Sequence, residues 1–167
     1  MIIHQKDPIL AQALVGAGYP DLLDDNGRVR DGKAEGMVVS MFLAMMMKKQ
    51  YVGFIDADNY FPGAVWEYAK CYASGFSLTK SPCAMVRVLW HYKPKLSGGI
   101  YFRKWGRVSQ ITNKCMNALI SERTKFESEV IKTGNAGEHA MTLKLARVLP
   151  LSLIHISEPT RPLYISY

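Results

Sequence analysis

Apolar and polar positions along the chain follow the periods of helices and strands. Residues 35–49 are apolar almost all round, which is typical of a helix buried on several sides. The apolar run Tyr51–Ile55 that follows is typical of a short buried strand. The pattern also predicts helices over residues 9–15, 64–72, 107–122 and 138–148, and strands over residues 1–3, 85–90 and 100–102. Elements in this order favour an α/β fold with a mostly parallel sheet flanked by helices.

The last residues do not continue this pattern. The stretch Leu151–Arg161 resembles the conceptual translation of a transposase-type sequencing adapter. We therefore expect the domain to occupy residues 1–150 and residues 151–167 to be an artefactual tail, in which His155 and Glu158 carry no functional weight.

Composition is that of an ordinary soluble globular protein, with 49% hydrophobic and 21% charged residues. No apolar run has the length of a membrane-spanning helix. The first eight residues lack the basic and then apolar pattern of a secretory signal. The cysteines Cys71, Cys83 and Cys115 have no metal-ligand spacing, so we expect free thiols in a reducing cytoplasm.

The net charge of +7 is unevenly distributed. Residues 68–121 contain no Asp or Glu, and their basic residues are Lys70, Lys80, Arg87, Lys93, Lys95, Arg103, Lys104, Arg107 and Lys114. A long segment of one sign attracts phosphates or carboxylates. Phosphorylated metabolites and nucleic acid are both candidate ligands, and a solvated basic surface is the alternative.

Two aspartates directly follow the predicted strand Tyr51–Ile55. Asp56 and Asp58 would both lie at its carboxyl end, where open α/β sheets bind ligands. Their oxygens suit Mg²⁺ or Mn²⁺, which proteins hold with one or two carboxylates plus substrate phosphates. Such an ion can act as a Lewis acid on a leaving diphosphate. The alternative is a turn with an aspartate that caps the next helix.

A second motif precedes the long buried helix. Gly32 and Lys33 could hold a phosphate with backbone amides and an ammonium group. The spacing is not that of a P-loop, because no Ser or Thr follows the lysine. A capped helix start with an exposed lysine is the alternative.

Two further motifs offer polar side chains near helix starts or glycines. Arg107 and Ser109 could grip a phosphate or carboxylate. Asn135, Glu138 and His139 lie in a glycine-containing stretch and offer hydrogen bonds that suit sugar hydroxyls. A solvated helix face and a simple loop are the respective alternatives, and His139 alone is more typical of a structural residue.

Taken in order, these motifs resemble the mannosyl-3-phosphoglycerate synthases, which are retaining GT-A glycosyltransferases. The matching stretches are HQKDP at residues 4–8, GKAEGM at 32–37, YVGFIDADNYFPGAV at 51–65, MVR at 85–87, YKPK at 92–95, KWGRVSQITN at 104–113 and TGNAGEHAMTLKLA at 133–146. They cover nearly all of residues 1–150, and DADNY and GNAGEHAM are specific to the family. The resemblance implies a partial GT-A fold.

The resemblance implies a reaction and its partners. Mannose would pass from GDP-mannose to the 2-hydroxyl of 3-phosphoglycerate with retention, aided by Mg²⁺ or Mn²⁺, on the route to the compatible solute mannosylglycerate. The enzyme would be cytoplasmic, would bind neither nucleic acid nor a membrane, and could form a homodimer. The nearest alternative is an enzyme of glucosyl-3-phosphoglycerate synthase type with another sugar-nucleotide donor. A basic nucleic-acid-binding fragment is the remote alternative.

The resemblance also assigns roles by position. The implied donor-binding residues are Lys33, Asp56, Asp58 and Glu138, with Asp58 and Asp56 as metal ligands. The implied acceptor-binding residues are Arg107, Ser109, Asn135 and His139. No residue stands out as a nucleophile.

The chain departs from the family pattern in two ways. Ala34 stands where the family usually has glycine, and it would strain the backbone if that position required a positive φ. The family's N-terminal nucleotide-binding strands and a downstream metal-ligand histidine have no counterpart. We therefore expect an internal fragment that is inactive and poorly folded by itself.

Overall fold

A computed structural model describes residues 2–57, 63–89, 92–96, 99–104, 107–134 and 137–149, with the side chains of 92–96, 100–104 and 107–109 left out. The helices are α1 Pro8–Gly16, α2 Lys33–Met46, α3 Ala64–Leu78, α4 Arg107–Thr124 and α5 Leu143–Ala146, with a 3-10 turn at Pro20–Leu22. The strands are β1 Tyr51–Phe54, β2 Met85–Arg87, β3 Tyr92–Leu96, β4 Ile100–Lys104 and β5 His139–Thr142. The chain divides into two compact units, Met1–Val52 with Thr142–Tyr167, and Gly53–Met141.

The first unit contains α1, α2, the turn-rich connection between them, and α5. The Asp7 side chain accepts a hydrogen bond from Ile9 N at 2.8 Å, and Pro8 occupies the first helical turn, so α1 has both usual start signals. Leu14 and Met41 are fully buried. Burial of each such side chain contributes roughly 1.5–3 kcal/mol to stability.

The second unit has its core where α3 packs on the sheet. Tyr68 and Tyr72 on α3 bury their rings with Ala140 of β5. Partly buried apolar side chains surround this cluster, namely Ile55, Ala64, Phe76, Val86 and Val88. The two tyrosine rings stack with their centroids 6.2 Å apart. The residue after β1 and the strand β5 therefore share one apolar core with α3.

The strands form a three-stranded sheet in the order β1-β5-β2 and a separate β3-β4 pair. β2 and β5 are antiparallel, with Val86 opposite Ala140 and Arg87 opposite His139. β3 and β4 are also antiparallel. Both pairings differ from the mostly parallel sheet that the sequence predicted. The reason is plain for β3 and β4, because only three residues separate them and a parallel pair needs a connection of a dozen residues or more.

Most predicted elements are confirmed within a few residues, but three predictions were wrong. The predicted helix over residues 138–148 is instead β5 followed by the single turn α5, because all four residues of β5 are buried within the sheet. The predicted strand at residues 1–3 is absent at Ile2 and Ile3, and Ile2 is fully exposed.

The third wrong prediction ended α3 at residue 72, just before Ser74 and Gly75. The helix runs on to Leu78. A Cβ built on Gly75 would lie 2.7 Å from both γ-methyl carbons of Val86. The glycine therefore permits the close approach of α3 to β2 and does not end the helix.

Four other points from the sequence bear on the fold. Ala34 is the second residue of α2, and its φ is not positive, so the strain considered for this position does not arise. Cys71, Cys83 and Cys115 are exposed and free, as predicted. Residues 151–167 lie outside the described residues, so their assignment as a tail stays a prediction. None of the helices in the described ranges is long and apolar enough to cross a bilayer.

Candidate functional site

The segment after β1 and the segment before β5 meet at Asp56. Gly137 lies against the Asp56 carboxylate so closely that an added Cβ would be 2.5 Å from Cγ and 2.6 Å from Oδ1. Real side chains do not approach to such distances, so only glycine fits this position without a shift. The fold thus brings together two motifs that the sequence analysis had singled out separately, one around residue 56 and one around residue 137.

Glu138 and His139, which follow that glycine, are nearly excluded from solvent, at 3% and 7% exposure. The Glu138 carbonyl accepts a hydrogen bond from Val88 N at 3.1 Å. His139 Nδ1 lies 3.1 Å from the Gly137 carbonyl oxygen, so Nδ1 carries the proton in this bond. The imidazole also packs on Phe54, with ring centroids 4.9 Å apart. His139 therefore has the surroundings of a packed core residue, and its predicted acceptor contact stays a prediction.

Tyr72 is hydrogen-bonded to the end of β1, and its pKa responds to nearby negative charges. Its hydroxyl donates a hydrogen bond to the Phe54 carbonyl at 2.8 Å. Burial raises the pKa of Tyr72 well above its ordinary value of 10.0, and the negative charges of Glu138 and Asp56 add to this effect. Both carboxylates therefore act on the Tyr72 hydroxyl, and the sequence had given no sign of this relation.

Two of the described side chains near Tyr72 are of the chemical type that binds a divalent cation. Asp56 and Glu138 offer the hard carboxylate oxygens that Mg²⁺ and Mn²⁺ prefer. Asp58, the second predicted ligand, lies outside the described residues. Among the residues that are described, no group of three His, Cys, Asp or Glu side chains is arranged to hold a metal ion. The metal site therefore stays a prediction.

Arg87 belongs to the basic segment and to the MVR stretch, but it was not among the predicted site residues. It ends β2 opposite His139, and its Nη2 donates a hydrogen bond to the Gly134 carbonyl at 3.0 Å. Its Nε is buried and has no hydrogen-bond partner within the described part of the chain. Burial lowers the pKa of this guanidinium from its usual value. Its contact with the main chain of Gly134 is long-range and has no signal in the sequence.

Two asparagines of α4 form hydrogen bonds with residues 131–134, which precede Gly137 along the chain. Asn113 Nδ2 donates to the Lys132 carbonyl at 2.9 Å, and Gly134 N donates to Asn113 Oδ1 at 2.8 Å. One helical turn later, Asn117 Nδ2 donates to the Ile131 carbonyl at 2.9 Å, and Ile131 N donates to Asn117 Oδ1 at 2.8 Å. Neither asparagine was a predicted functional residue, because the helical spacing of α4 drew attention to its apolar positions.

The predicted phosphate motif lies in the first unit, at the start of α2. Lys33 is the first residue of the helix and is exposed. Two residues on, the buried Glu35 folds back against Gly32 and lies 3.6 Å from Arg30 Nε. The Lys33 backbone is therefore placed by a compact loop, and the side chain is accessible to an anion.

Residues of the HQKDP stretch hold this loop from the other side. Gln5 Nε2 donates to the carbonyls of Arg30 and Gly32, at 2.7 and 3.3 Å. Lys6 Nζ lies 3.2 Å from carboxylate oxygens of both Asp24 and Asp31. Although burial acts in the opposite direction, these two carboxylates raise the pKa of Lys6. The stretch thus has a local structural role that its sequence alone did not indicate.

The remaining predicted residues cannot be placed at the level of side chains. Arg107 and Ser109 lie in the first turn of α4, as predicted, but their side chains are outside the described part. Asn135 lies outside the described residues altogether. Of the second unit's predicted residues, Asp56 and Glu138 both act on the pKa of Tyr72, and His139 packs on Phe54.

Comparison with known proteins gives one consistent result. A sequence model of the mannosyl-3-phosphoglycerate synthase family matches residues 1–165. The chain is 52% identical over 166 residues to the mannosyl-3-phosphoglycerate synthase of Pyrococcus furiosus, covering 99% of this chain and 42% of that protein. It is 43% identical over 145 residues to the enzyme of that name from Aeropyrum pernix, covering 86% of this chain and 37% of that protein.

Two facts follow from the extent of these matches. The chain spans less than half the length of the curated relatives it matches. The family match also extends into residues 151–167, which the sequence analysis had set apart as a tail. A match over nearly the whole chain, together with such identities, establishes the family: the chain belongs to the mannosyl-3-phosphoglycerate synthases.

Proposed function

We propose that the full-length protein containing this chain transfers mannose from GDP-mannose to 3-phosphoglycerate, with retention of configuration. The observation that carries the proposal is the contact between Asp56 and Gly137, which joins the DADNY and GNAGEHAM blocks at one place in the fold. Family membership supports the same reaction, since the relatives are named for its product class. The protein would act in the cytoplasm in the synthesis of mannosylglycerate, and a homodimer is compatible with this role.

The proposal assigns the metal to the acidic end of this site. Asp56 and Asp58 would hold Mg²⁺ or Mn²⁺, and Glu138 would contribute negative charge to the same region. When bound, the ion would supply positive charge to the diphosphate of the donor. Gly137 leaves room for the Asp56 carboxylate, and Tyr72 fixes the strand end that carries it.

The proposal assigns the anionic parts of both substrates to basic residues. Lys33 at the exposed start of α2 would bind donor phosphate, where helix amides also favour an anion. Arg107 and Ser109 in the first turn of α4 would bind the phosphoglycerate. Asn135 and His139 would contact the acceptor, although His139 is only 7% exposed.

The test uses the full-length enzyme and the substitution Asp58→Ala. With GDP-mannose, 3-phosphoglycerate and Mg²⁺, we expect the wild type to release GDP and form a mannosylated product. The variant should lose activity by roughly a hundredfold or more, because the diphosphate would lose part of its metal shell. Asp25→Ala, at an exposed turn aspartate of the first unit, is the matched control and should keep wild-type turnover.

Two outcomes would contradict the proposal. Unchanged turnover in Asp58→Ala would remove the metal role of that residue. Turnover with GDP-glucose or UDP-glucose that exceeds turnover with GDP-mannose would identify the enzyme as a sister synthase with another donor. A gel-shift control with duplex DNA checks the remote alternative, which requires binding that weakens steeply with salt.

A further inference from the structure

Both hydrogen-bonding groups of the Gly134 backbone are fixed by side chains from different elements. Its N–H donates to Asn113 Oδ1 on α4 at 2.8 Å. Its carbonyl accepts from Arg87 Nη2 at the end of β2 at 3.0 Å. A residue held on both sides in this way has little freedom to shift, although it belongs to no strand.

The Asn113 amide is well placed to hold this position. The side chain is 7% exposed, and it uses its Nδ2 for the Lys132 carbonyl while Oδ1 accepts from Gly134. Solvent therefore competes weakly for these bonds, and loss of either would leave a buried polar group unsatisfied. A Cβ on Gly134 would lie 2.9 Å from Asn113 Oδ1, so glycine is needed for this approach.

Gly134 is three residues from Gly137, the residue that presses on the Asp56 carboxylate. Three residues of chain span at most about 10 Å, so a fixed Gly134 narrows the positions available to Gly137. Gly137 can move little toward Asp56, because the Asp56 carboxylate already occupies the space of a Cβ. We therefore expect a shift at Gly134 to change the contact between Gly137 and the Asp56 carboxylate.

We propose that Asn113 and Arg87 are positioning residues for the candidate site. They fix Gly134 and thereby set where Gly137 meets Asp56. Neither side chain needs to touch substrate for this role. The kinetic part of this inference rests on the proposed mannosyl transfer, and the structural part rests only on the contacts within this chain.

Asn117 provides a matched control on the same helix. It also makes two hydrogen bonds to the same segment, but they end at Ile131, which lies three residues before Gly134. Asn113→Ala and Asn117→Ala therefore remove equal numbers of hydrogen bonds. They should lower the melting temperature by similar amounts, whereas only the first releases Gly134.

The experiment compares these variants in the full-length enzyme by three measurements. We expect Asn113→Ala to lower kcat by about tenfold or more, since small misplacements near reacting groups are costly, and Asn117→Ala to stay within about threefold of wild type. Mn²⁺ alone, titrated by calorimetry, should bind more weakly to Asn113→Ala. Amide hydrogen exchange in peptides that cover residues 134–137 should be faster in Asn113→Ala than in Asn117→Ala.

Arg87→Lys tests the same inference from the other side of Gly134. The shorter lysine keeps the charge and loses the bond to the carbonyl, so the same changes in kcat, Mn²⁺ binding and exchange are expected. This variant carries the test if Asn113→Ala does not fold. Equal effects of Asn113→Ala and Asn117→Ala on all three measurements, or a wild-type kcat in Arg87→Lys, would overturn the inference.

The outcomes separate this inference from the proposed function. If the wild type transfers no mannose, the proposed function fails. Hydrogen exchange and Mn²⁺ binding then still decide whether Asn113 controls the position of the Asp56 site.

Discussion

At the scale of single residues, the contact between Gly137 and Asp56 depends on the absence of a side chain. Sequence motifs with glycine are often assigned to turns, but Gly137 does not have a positive φ. Its requirement is space, because a Cβ would overlap the Asp56 carboxylate. Substitution of such a glycine is expected to displace its neighbour, whereas substitution of a glycine with positive φ strains the backbone.

The first prediction concerns Gly137→Ala in the full-length enzyme. The added methyl group should displace the Asp56 carboxylate, and overpacking of this kind costs about 1–3 kcal/mol. We expect kcat/KM for mannosyl transfer to fall by roughly tenfold to a hundredfold, because the carboxylate proposed to bind the metal would shift by a fraction of an ångström or more. Steady-state kinetics at saturating Mg²⁺ would measure this.

Gly16→Ala is the control for that substitution. Gly16 ends α1, does not have a positive φ, and has no atom within 4 Å of the position of an added Cβ. We expect normal kinetics and an unchanged or slightly higher melting temperature. Equal activity of Gly137→Ala and Gly16→Ala would show that the Asp56 contact is unimportant for catalysis.

The second prediction concerns Tyr72 and alkaline pH. The pKa of Tyr72 is raised above its ordinary value of 10.0, so the folded protein holds the phenolic proton more tightly than the unfolded chain does. The contribution of Tyr72 to stability is therefore complete below pH 10 and is lost as the pH rises further. Tyr72→Phe removes this titration and the bond to the Phe54 carbonyl, which costs about 1 kcal/mol at neutral pH.

Denaturant unfolding of wild type and Tyr72→Phe between pH 8 and 11 would measure this effect. The difference in the free energy of unfolding between the two proteins should be constant up to about pH 10 and should shrink above it. A constant difference up to pH 11 would contradict the raised pKa. Differences between the proteins cancel the contributions of other tyrosines.

At the scale of elements, the sequence predicted helices and the first strand of the site well, and it failed where tertiary burial overrides local periodicity. β1 and α4 are found within two residues of their predicted bounds, because runs of apolar residues or helical spacing mark them clearly. β5 was predicted as part of a helix, since His139–Thr142 lies inside a pattern compatible with helical spacing. Its pairing with β1 and β2 in the folded sheet decides that this segment is a strand.

The candidate site, like the helices and strands, could be predicted from the sequence only in part. Asp56 and Glu138 lie in motifs whose chemistry is evident from residue type, and the fold brings both close to Tyr72. The roles of Arg87 and Asn113 could not be predicted, because both bond to backbone atoms of Gly134 that no sequence pattern identifies. Long-range contacts to main-chain groups carry no signature in a single sequence.

The third prediction concerns Gly75, the glycine inside α3. Helix propensity alone predicts that Gly75→Ala stabilises the protein by about 1 kcal/mol. The structure predicts the reverse, a net loss of about 1–2 kcal/mol, because the new Cβ would overlap both γ-methyl groups of Val86. Thermal or urea unfolding of the two proteins would distinguish these outcomes.

Val86→Ala gives that prediction an internal check. Removing the valine methyl groups leaves a cavity by itself, but in the double variant Gly75→Ala/Val86→Ala the new methyl group should partly fill it. We expect the double variant to be more stable than the sum of the single effects predicts, by about 1 kcal/mol. Additive effects would mean that α3 and β2 are not in tight contact at this point.

At the scale of the whole molecule, the basic segment is less uniform than its sequence indicates. Arg87 is directed to the Gly134 carbonyl and is partly buried, and Lys70 pairs with Glu67 at 2.8 Å. Lys80 and Lys114 are exposed. Arg87 thus helps to organise the fold, whereas the charges of Lys80 and Lys114 are exposed and would attract the two anionic substrates of the proposed reaction.

The last prediction concerns the 167-residue chain produced by itself. It spans 42% of the Pyrococcus furiosus relative. Large apolar side chains of both units are exposed, including Ile9, Trp66, Leu78 and Phe126, and Leu78 reaches 85% exposure. Exposed apolar surface of this kind is typical of a surface that another part of a protein covers. We therefore expect the isolated chain to bind a hydrophobic dye such as ANS and to unfold with low cooperativity.

The same argument predicts that the isolated chain transfers no mannose. Asp56 and its neighbours could be present in the right fold and still fail, because a sugar-nucleotide site that holds its groups loosely loses most of its rate. The full-length protein, purified in the same way, is the control and should show weak ANS binding, a cooperative transition and mannosyl transfer. Transfer by the isolated chain at a rate within tenfold of the control would mean that residues 1–167 contain the complete site.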